Sequence, residues 1–557
     1  MNYMYQKLKY LKEWFSTHVL TSDKRTILFW FFIVLLLHGY LVLAITGDEE
    51  VRITVPDEQS FIFNSIALGN YLHQFNFSNA VDFGPVLGYG YIFWLFNALF
   101  IVPFGALGGF SAQIFIGRLV YLFCFVLSLF FTYKTVSIYQ EKYTALLGTF
   151  LIFLLPTFAF FGKIISVEYL LCFLLSCFMY LIASDEGNLS KKVSFASLIL
   201  GIAIGVKLIA LPFLLALLLY LFLHSSVVKI YVKSLLLVIA GFFISNPVLL
   251  ISARARDVLL KSLPINAPFS LENLTRCYNF DSFTWDDIPL LGIKAGFGNE
   301  LVLLLFIVFT ILSFISNRKN KNRLFILSIY MITFLVFILS VCLKGSTFWT
   351  WYLFPAFLIS VVPPLLLNFE NKRLNDKLIA VFFISIFVLN IGSVSKVYKY
   401  KFNQINTMSL KAKDKKQIKD FFMNVEPGRT VVSSEQVLIG DLPSKGIPAF
   451  NHLIVHKTFE AHAELYNFSP HFFDLYPSTE YIIYQKKWGV LNNSAPPALP
   501  NDGFCPTGKS SPGSAKQYWN ELINGKGVIA SNNTIYKFKP ILETSTSIIY
   551  QRVGIHL

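Results

Sequence analysis

The feature that most constrains this chain is a series of long, nearly uncharged stretches. They recur from residue 26 to about residue 394. A helix needs about 20 apolar residues to cross the roughly 30 Å of hydrocarbon in a bilayer. Only 14% of the 557 residues are charged, whereas soluble globular proteins carry about 25%. One water-soluble fold is therefore excluded, and the sequence predicts a polytopic helical membrane protein.

The formal net charge of +15 does not indicate a nucleic-acid partner. The basic residues lie in short polar segments between the apolar runs, the densest being Arg318 to Arg323. Lysine and arginine in such loops set the orientation of the chain in the bilayer, because they are retained on the cytoplasmic side. We therefore expect membrane lipid around this protein and no nucleic acid.

The amino-terminal segments fix the expected orientation. The first run, Thr26 to Thr46, follows a basic leader over residues 1–25 and lacks a small-residue cleavage pattern. We interpret it as an uncleaved first span with its amino end in the cytoplasm. The next segment, Gly47 to Gly84, contains six carboxylates and the single base Arg52. This composition is typical of an external loop, which we place at residues 47–85.

The later apolar runs give the number of spans. They cover residues 86–104, 113–138, 144–161, 167–183, 193–206, 208–224, 232–252, 299–316, 324–343, 349–367 and 378–394. If residues 86–104, interrupted by Gly88, Gly90 and Pro103, stay on the outer side as a re-entrant or interfacial helix, every dense basic cluster lies inside. The positive-inside rule thus favours eleven spans, within a range of about 11–13. The adjoining runs 193–206 and 208–224 predict two helices that meet near Lys207.

The composition changes after Val394. Residues 396–557 are more polar and long enough for one soluble domain. Their pattern predicts a helix from Leu410 to Asn424 and strands at Arg429–Ser433 and Glu480–Tyr484. The expected fold is an all-α membrane domain at 26–395 followed by a soluble α/β domain, which by parity lies on the external side with the acidic loop.

Ionisable residues at membrane depth are the candidates for chemistry. A charge at the centre of a bilayer costs about 2.5–3.5 kcal/mol on insertion scales, so it needs a route to the interface or a function. The candidates on the predicted outer side are Asp57, Glu58, Lys163, Glu168, Lys207 and Arg254. Carboxylates and cations at one water-facing rim suit transfer of a group from a phosphate-linked donor, because a carboxylate accepts a proton and cations stabilise the departing phosphate.

The same residues have structural interpretations. Asp57 and Glu58 precede a short helix and can cap it. Lys163 and Lys207 can extend their aliphatic chains along apolar surface and place the amine among lipid headgroups. Glu168 can cap the fourth span. On composition alone, both kinds of interpretation remain open.

The order of these motifs over residues 26–395 resembles the GT-C superfamily of integral-membrane glycosyltransferases, particularly the protein O-mannosyltransferase and aminoarabinose transferase branch. The similar segments are Pro56–Glu58 with Ile66–Gly69, Phe83–Tyr91, Ser166–Leu170, Gly201–Lys207, Asn246–Leu250 and Trp351–Pro355. The glycine-rich helix ending in Lys207 is the most specific of them. Departures from the family pattern are Glu168 in place of the commoner Asp, Trp351 in place of Arg, and Asp82 near a position where some members carry Lys.

The resemblance implies a glycosyltransferase that moves a sugar from a polyprenyl-phosphate donor to a lipid, glycan or protein acceptor, with inversion, at the outer face of a bacterial inner membrane. In this reading Asp57 is the general base, and Glu58 and Glu168 position the acceptor or a divalent ion. Three cations would hold the donor phosphate: Lys207, Lys163 and Arg254. No other cofactor is implied.

Two other classes of membrane protein also fit. A secondary transporter or lipid flippase places rare charges among many helices, but such proteins often carry internal repeats, and this sequence has none that we detect. A polysaccharide polymerase also combines many spans with a large outer loop. Its key basic residues are expected in a central loop, for which Arg254 to Gly298 is a candidate.

The six cysteines include no CxxC pair, so they indicate neither a zinc site nor a disulfide framework. Cys277 and Cys505 are the two that the topology places outside the bilayer on the oxidising side. A disulfide between them is a hypothesis that the sequence leaves open.

The topology can be tested with reporter fusions after Asp82, after Asn320 and at Leu557. Because the acidic loop is expected outside and the cluster at Arg318–Arg323 inside, we expect the readings outside, inside and outside. An inside reading at Leu557 would contradict the eleven-span topology.

Overall fold

The computed structural model describes the greater part of the membrane domain and the elements of the carboxyl-terminal domain. The described residues are 13, 17, 19, 21–43, 56–81, 90–160, 165–184, 188–225, 227–262, 270–271, 293–294, 296–343, 353–433, 454–457, 478–485, 528–529, 534–544 and 547–556.

The chain forms two compact units. The first contains residues 1–44, 60–275 and 289–398, and the second contains residues 45–59, 276–288 and 399–557. The described helices, in chain order, are α1 Asp23–Leu43, α2 Pro56–His73, α3 Phe77–Val81, α4 Tyr91–Phe100, α5 Gly105–Tyr139, α6 Lys142–Phe150, α7 Pro156–Phe160, α8 Val167–Ala183, α9 Leu189–Val206, α10 Phe213–His224, α11 Val228–Ser245, α12 Val248–Ile251, α13 Ala253–Ser262, α14 Glu300–Ser316, α15 Lys321–Cys342, α16 Phe354–Ser360, α17 Val362–Leu365 and α18 Lys372–Met423.

The helical composition confirms the predicted class of fold. Within the described ranges, five helices are long and apolar enough to cross a membrane, and six shorter apolar helices accompany them. Helix α4 has 10 residues, about 15 Å at 1.5 Å per residue, which is half of the hydrocarbon thickness. It is therefore too short to span alone. The exact number of spans remains a prediction.

Several runs that looked continuous in the sequence are broken in the structure. The run 144–161 divides into α6, a 3-10 turn at Leu151–Leu154 and α7, which begins at Pro156. The run 232–252 divides at Asn246-Pro247, and the run 349–367 divides between α16 and α17. The first two breaks directly precede a proline, and the third, at Val361, lies two residues before Pro363. Proline has no N–H, and its ring clashes with the carbonyl of residue i−4.

Amide side chains bind the backbone near these breaks. The Nδ2 group of Asn390, in α18, donates to Leu154 O at 2.8 Å and to Phe297 O at 2.7 Å. One amide therefore ties the interrupted helix α6–α7 and the turn before α14 to α18. Because no water is available inside hydrocarbon, such groups must find partners within the protein.

A second set of amides binds the non-helical segment after α17. Gln140 Nε2 donates to Leu365 O and Leu367 O, both at 2.8 Å. Asn317 Nδ2 donates to the carbonyl between them, Leu366 O, at 2.6 Å. Three consecutive carbonyls of a buried apolar segment are thus satisfied by side chains from other elements.

Glycines allow helices α9 and α11 to pack with their backbones in close contact. A Cβ placed on Gly201 would lie 2.1 Å from Val238 O, and one placed on Gly241 would lie 2.4 Å from Leu198 O. Ser245 Oγ donates across the interface to Ile202 O at 3.1 Å. Small residues spaced four apart are typical of tight helix pairs in membranes.

Aromatic side chains fill the interior where α5, α7, α8 and α16 meet. Phe158 and Phe354 have ring centroids 4.4 Å apart, and Tyr169 lies 5.4 Å from both Phe125 and Phe354. All four side chains are buried. This part of the large aromatic content serves packing inside the protein.

The second unit contains a six-stranded sheet with the order β2-β1-β3-β6-β5-β4. The strands are β1 Thr430–Ser433, β2 Ile454–Lys457, β3 Tyr481–Gln485, β4 Val528–Ile529, β5 Ile535–Glu543 and β6 Ser547–His556. Strand β1 pairs in parallel with β2 and β3, whereas β3–β6, β6–β5 and β5–β4 are antiparallel. Ile418 and Phe422 of α18 pack in one cluster with Val431, Tyr481 and Ile549 of the sheet.

The last predicted span and the helix predicted after it are continuous in the structure. The predicted last span and the predicted helix Leu410–Asn424 are parts of one 52-residue helix, α18. The intervening residues contain no proline, and Gly392 is the single glycine within α18, so nothing in this segment stops a helix. The predicted strands at 429–433 and 480–484 agree with β1 and β3 within one residue.

The glycine contact between α9 and α11 can be tested by Gly201→Ala. The added methyl meets a backbone carbonyl that cannot rotate away, so the helices must move apart, and we expect a loss of about 1–3 kcal/mol in unfolding free energy. Gly392→Ala is the matched control, because a Cβ there meets nothing within 4 Å. It should leave stability unchanged or raise it by up to about 1 kcal/mol. Equal melting temperatures for the two variants in detergent would contradict this account.

Candidate active site

Lys207 lies in the predicted junction between two helices. Helix α9 ends at Val206, Lys207 has an extended backbone, and a 3-10 turn follows at Leu208–Ala210 before α10 begins. The helix therefore stops one residue before the lysine that ends the sequence motif. This break gives the Lys207 side chain a direction different from that of the preceding helical residues.

The amine of Lys207 forms a buried ion pair with Glu168. Lys207 Nζ lies 2.5 Å from Glu168 Oε1, and the two side chains are 10% and 5% exposed. The pair joins residues 39 positions apart in sequence. Lys207 does not extend its amine to the lipid headgroups, because the amine is directed at a carboxylate inside the protein. The mutual neutralisation of the two charges is what allows both to be buried.

Ser166 binds the second oxygen of the Glu168 carboxylate. Its hydroxyl bonds Glu168 Oε2, and its Oγ accepts the backbone N–H of Glu168 at 3.3 Å. Ser166 is therefore the residue that caps α8, whereas Glu168 lies in the first turn. The structure thus does not support the interpretation of Glu168 as the cap of this helix.

Three separate sequence motifs meet at the end of α9. The N–H of Gly90 donates to Val206 O at 2.8 Å, and the N–H of Tyr91 donates to Asn246 Oδ1 at 3.0 Å. Asn246 Nδ2 in turn donates to Gly205 O at 2.8 Å. The otherwise open carbonyls at the carboxyl end of α9 are satisfied by the start of α4 and by the end of α11.

The close approach at this point requires glycine. A Cβ on Gly90 would lie 2.1 Å from Gly205 O and 2.9 Å from Val206 Cα. A Cβ on Gly205 would lie 2.5 Å from Ser245 Cβ. The glycines of the two motifs are therefore explained by backbone contact next to Lys207.

Helix α2 packs alongside α4 in the same direction. The ring of Phe61 lies 5.2 Å from that of Phe93, near the start of α4. A Cβ on Gly69, eight residues later in α2, would lie 3.6 Å from Val102 Cγ1, just beyond the end of α4. From Phe61 to Gly69, α2 thus runs beside α4.

The other predicted site residues are described to different extents. Asp57 and Glu58 lie in the first turn of α2, which begins at Pro56, so they head a helix as predicted; their side chains are outside the described part. Lys163 lies outside the described residues. Arg254 is exposed in the first turn of α13, and its neighbour Arg256 makes the contact with α12, donating to Leu249 O at 3.0 Å.

Further sequence predictions also fall outside the described residues. These are the external loop at 47–55 and 82–89, Trp351, and the pair Cys277 and Cys505. Among the described side chains, no group of three or more His, Cys, Asp or Glu residues could hold a metal ion. The side chains that hydrogen-bond the Glu168 carboxylate are those of Lys207 and Ser166.

Sequence reasoning overlooked Arg118. It lies in α5 within a run read as uniformly apolar, and it is 4% exposed. The sequence did contain a signal for it, because a lone arginine within a membrane span is by default a candidate functional residue.

Comparisons with known proteins bear on the fold. No protein family and no curated protein matches the sequence. Among solved structures the chain is similar to ArnT from Cupriavidus metallidurans bound to undecaprenyl phosphate, with 10% identity and a TM-score of 0.48 over 94% of this chain and 98% of that one. It is also similar to the archaeal oligosaccharyltransferase AglB from Archaeoglobus fulgidus in complex with an inhibitory peptide and a dolichol-phosphate, with 12% identity and a TM-score of 0.46 over 91% of this chain and 73% of that one.

Both of these proteins belong to the GT-C superfamily that the sequence motifs resemble. At these identities and TM-scores no activity of this chain follows from the likeness.

The arrangement around Lys207 is suited to binding an anion. The ammonium group of Lys207 is a cation with three N–H donors. Glu168 and Ser166 hold the amine in one place, and the α9 break presents it at the end of a helix. A fixed cation in a poorly solvated site stabilises negative charge better than the same cation in water.

The ion pair can be tested by a double-mutant cycle of Lys207→Met and Glu168→Gln. Each single change leaves one buried charge or polar group without its partner, so we expect each to lower the unfolding free energy by about 3–5 kcal/mol. The double variant should lose less than the sum of the two. A cycle at Lys319 and Glu370, an exposed pair 3.3 Å apart, is the control and should show almost no coupling. Equal coupling at both pairs in thermal unfolding would contradict the buried role.

Proposed function

We propose that this protein is a membrane glycosyltransferase that moves a sugar from a polyprenyl-phosphate donor to an acceptor outside the cytoplasm. The acceptor is a lipid, glycan or protein, and the membrane is a bacterial inner membrane. A lipid-linked donor suits such a site because its prenyl chain can enter laterally from the bilayer while the sugar faces water.

The observation that carries this proposal is the meeting of four sequence motifs at one point. The segments ending at Tyr91 and at Lys207 and the segment starting at Asn246 are joined by backbone and amide hydrogen bonds. The segment from Ser166 joins them through the Glu168–Lys207 pair. The resemblance to GT-C glycosyltransferases rests on the order of these motifs along the chain. Their meeting in space is a separate observation, and it supports the same resemblance.

In the proposed reaction Asp57 is the general base. Its carboxylate takes the proton of the acceptor hydroxyl while the acceptor oxygen forms a bond to the anomeric carbon. The bond between that carbon and the phosphate oxygen breaks, and its electron pair leaves with the phosphate. A single displacement gives inversion and releases polyprenyl phosphate. The resemblance of the segment Pro56–Glu58, at the head of α2, to the acidic motif of GT-C glycosyltransferases supports this role.

Lys207 is proposed to hold the donor phosphate as it gains charge. In this role Glu168 is a positioning residue, because its carboxylate is bonded to Lys207 and Ser166. This assignment narrows the earlier expectation, in which Glu168 positioned the acceptor or a divalent ion. Glu58 keeps the role of positioning the acceptor or a divalent ion, and Lys163 and Arg254 remain proposed secondary phosphate contacts.

The function can be tested by incubating the purified protein with a panel of polyprenyl-phosphate sugars and measuring free polyprenyl phosphate. A glycosyltransferase of this type releases it in step with sugar transfer. A flippase or transporter moves the lipid across the bilayer without cleaving it. Translocation of an intact lipid-linked sugar by the reconstituted protein, with no cleavage for any donor and acceptor pair, would overturn the proposal.

The substitution Asp57→Asn separates a base from a helix cap. Asparagine caps a helix about as well as aspartate but cannot accept the proton. We therefore expect normal folding and a loss of about 100-fold or more in turnover, since general-base catalysis contributes about 10²–10⁴-fold. Glu58→Gln should lose less if Glu58 only positions the acceptor. Thermal stability and turnover are measured together, and an Asp57→Asn enzyme with full activity would remove Asp57 from the mechanism.

A further inference from the structure

Two phenylalanines are exposed at the turn between helices α2 and α3. Phe75 is 79% exposed and Phe77 is 57% exposed. Their ring centroids lie 6.1 Å apart, so the two rings form one aromatic patch, which we call the Phe75–Phe77 pair. The other residues from His73 to Asn79 are polar. Neighbouring exposed aromatic rings in a polar turn indicate a surface that contacts something other than water.

The backbone of this turn is fixed by hydrogen bonds. The N–H of Phe75 donates to Leu72 O at 3.1 Å, and the N–H of Asn76 donates to Tyr71 O at 2.8 Å. These two bonds define a Schellman motif, a helix ending in which one residue adopts the left-handed conformation. That residue is Phe75, with a φ of +53°. The Oδ1 of Asn76 then accepts the N–H of Asn79 at 3.2 Å and caps α3.

Phenylalanine is unfavourable at this position of the motif. In the left-handed conformation the Cβ approaches the following carbonyl oxygen, so the position is usually glycine. Within the part of the chain that the structure describes, Phe75 is the single non-glycine residue with a positive φ. Because Phe75 is 79% exposed, burial inside the protein does not offset this strain. Strain of this kind is concentrated at functional positions.

The Phe75–Phe77 pair is next to other exposed apolar residues of the first unit. A Cβ on Gly69 would lie 3.6 Å from Val102 Cγ1, so α2 lies beside the junction between α4 and α5. Three residues within five positions of Val102 are apolar and more than half exposed, namely Leu99, Phe100 and Leu107. A candidate membrane span, Ala112–Tyr139, begins directly afterwards in α5. This surface therefore adjoins the predicted outer end of a span, where hydrocarbon meets the lipid headgroups.

We propose that the Phe75–Phe77 pair inserts into the bilayer at the boundary between headgroups and hydrocarbon, and that it anchors α2 to the membrane surface. Aromatic residues are enriched at this boundary, and phenylalanine is typical of the apolar face of interfacial helices. Insertion removes both rings from water, which offsets the left-handed backbone at Phe75. The partner is bilayer lipid, on the outer side in the predicted topology. This anchor is independent of the proposed glycosyltransferase activity.

The anchor can be tested by tryptophan fluorescence of the full-length protein in nanodiscs. Phe75→Trp and Phe77→Trp each add an indole at the pair, and its emission is the difference from wild type, which has eight tryptophans. The nanodiscs contain phospholipid with or without bromine on the acyl chains, because bromine quenches indole only at short range. An inserted ring should lose about half or more of its emission in brominated lipid, and iodide in the water should quench it only weakly.

Two controls set the limits of this measurement. Leu236→Trp adds an indole at a position that is 60% exposed on α11, a candidate span, so brominated lipid should quench it strongly. Free tryptophan amide in the same buffer gives the iodide quenching of an indole that is fully in water. Wild-type melting temperatures in detergent show that the tryptophan variants fold.

The strain at Phe75 can be separated from the role of its ring by Phe75→Gly and Phe75→Ala. Glycine adopts the left-handed conformation without steric cost, so Phe75→Gly should raise the melting temperature in detergent. Phe75→Ala also removes the ring but keeps a Cβ, so it should melt at a lower temperature than Phe75→Gly. Equal melting temperatures for these two variants would contradict the strain.

The quenching outcomes decide between lipid and the other possible surroundings of the pair. If iodide quenches both added tryptophans and brominated lipid does not, while Leu236→Trp is quenched by brominated lipid, the pair faces water and the anchor is overturned. If neither quencher acts, protein covers the pair, either a second copy or another segment of this chain, and the assignment to lipid is overturned. In both cases the proposed glycosyltransferase activity stands, because it is tested separately by release of polyprenyl phosphate.

Discussion

The structure of the first unit depends on one constraint, the need to satisfy backbone groups where helices are interrupted inside an apolar environment. Water is not available there, and each unpaired carbonyl or N–H group costs several kcal/mol. This chain meets the need with amide side chains. Asn246 binds Gly205 O and the N–H of Tyr91, and Asn390 binds Leu154 O and Phe297 O. The backbone groups at these interruptions are thereby hydrogen-bonded inside the protein.

The candidate site is a consequence of one such interruption. If α9 continued beyond Val206, Lys207 would occupy an ordinary helical position. The break is stabilised by Gly90 and Asn246, and it brings the amine to Glu168 at 2.5 Å. The glycines that allow α11 and α4 to approach α9 therefore act on the site indirectly, because they determine where its cation is placed. A buried ion pair contributes little net stability, which favours a functional over a structural reason for keeping it.

The two units differ in how their local sequence relates to their structure. In the membrane unit, hydropathy located most helices, yet the prolines at 156, 247 and 363 divided runs that looked continuous. In the carboxyl-terminal unit, short alternating segments located β1 and β3 to within one residue. The long hairpin of β5 and β6, which pairs over most of the length of both strands, was not identified. Its residues include Pro540 and alternate irregularly around shifts in register.

The sequence by itself determined that the chain is a helical membrane protein with a carboxyl-terminal α/β unit. The reason is that charged residues are costly in hydrocarbon, and that apolar runs of about 20 residues are long enough to cross it as helices. It also predicted two helices that meet near Lys207, since residues 193–224 are too many for one crossing as a single helix. Only the tertiary structure decided that Lys207 pairs with Glu168, which lies 39 residues earlier in the chain. Likewise, only the packing of α4 and α5 placed Asn97 beside Tyr121, one turn from Arg118. Partners of this kind are fixed by how helices cross, and helix crossing depends on contacts between distant residues that no local pattern encodes.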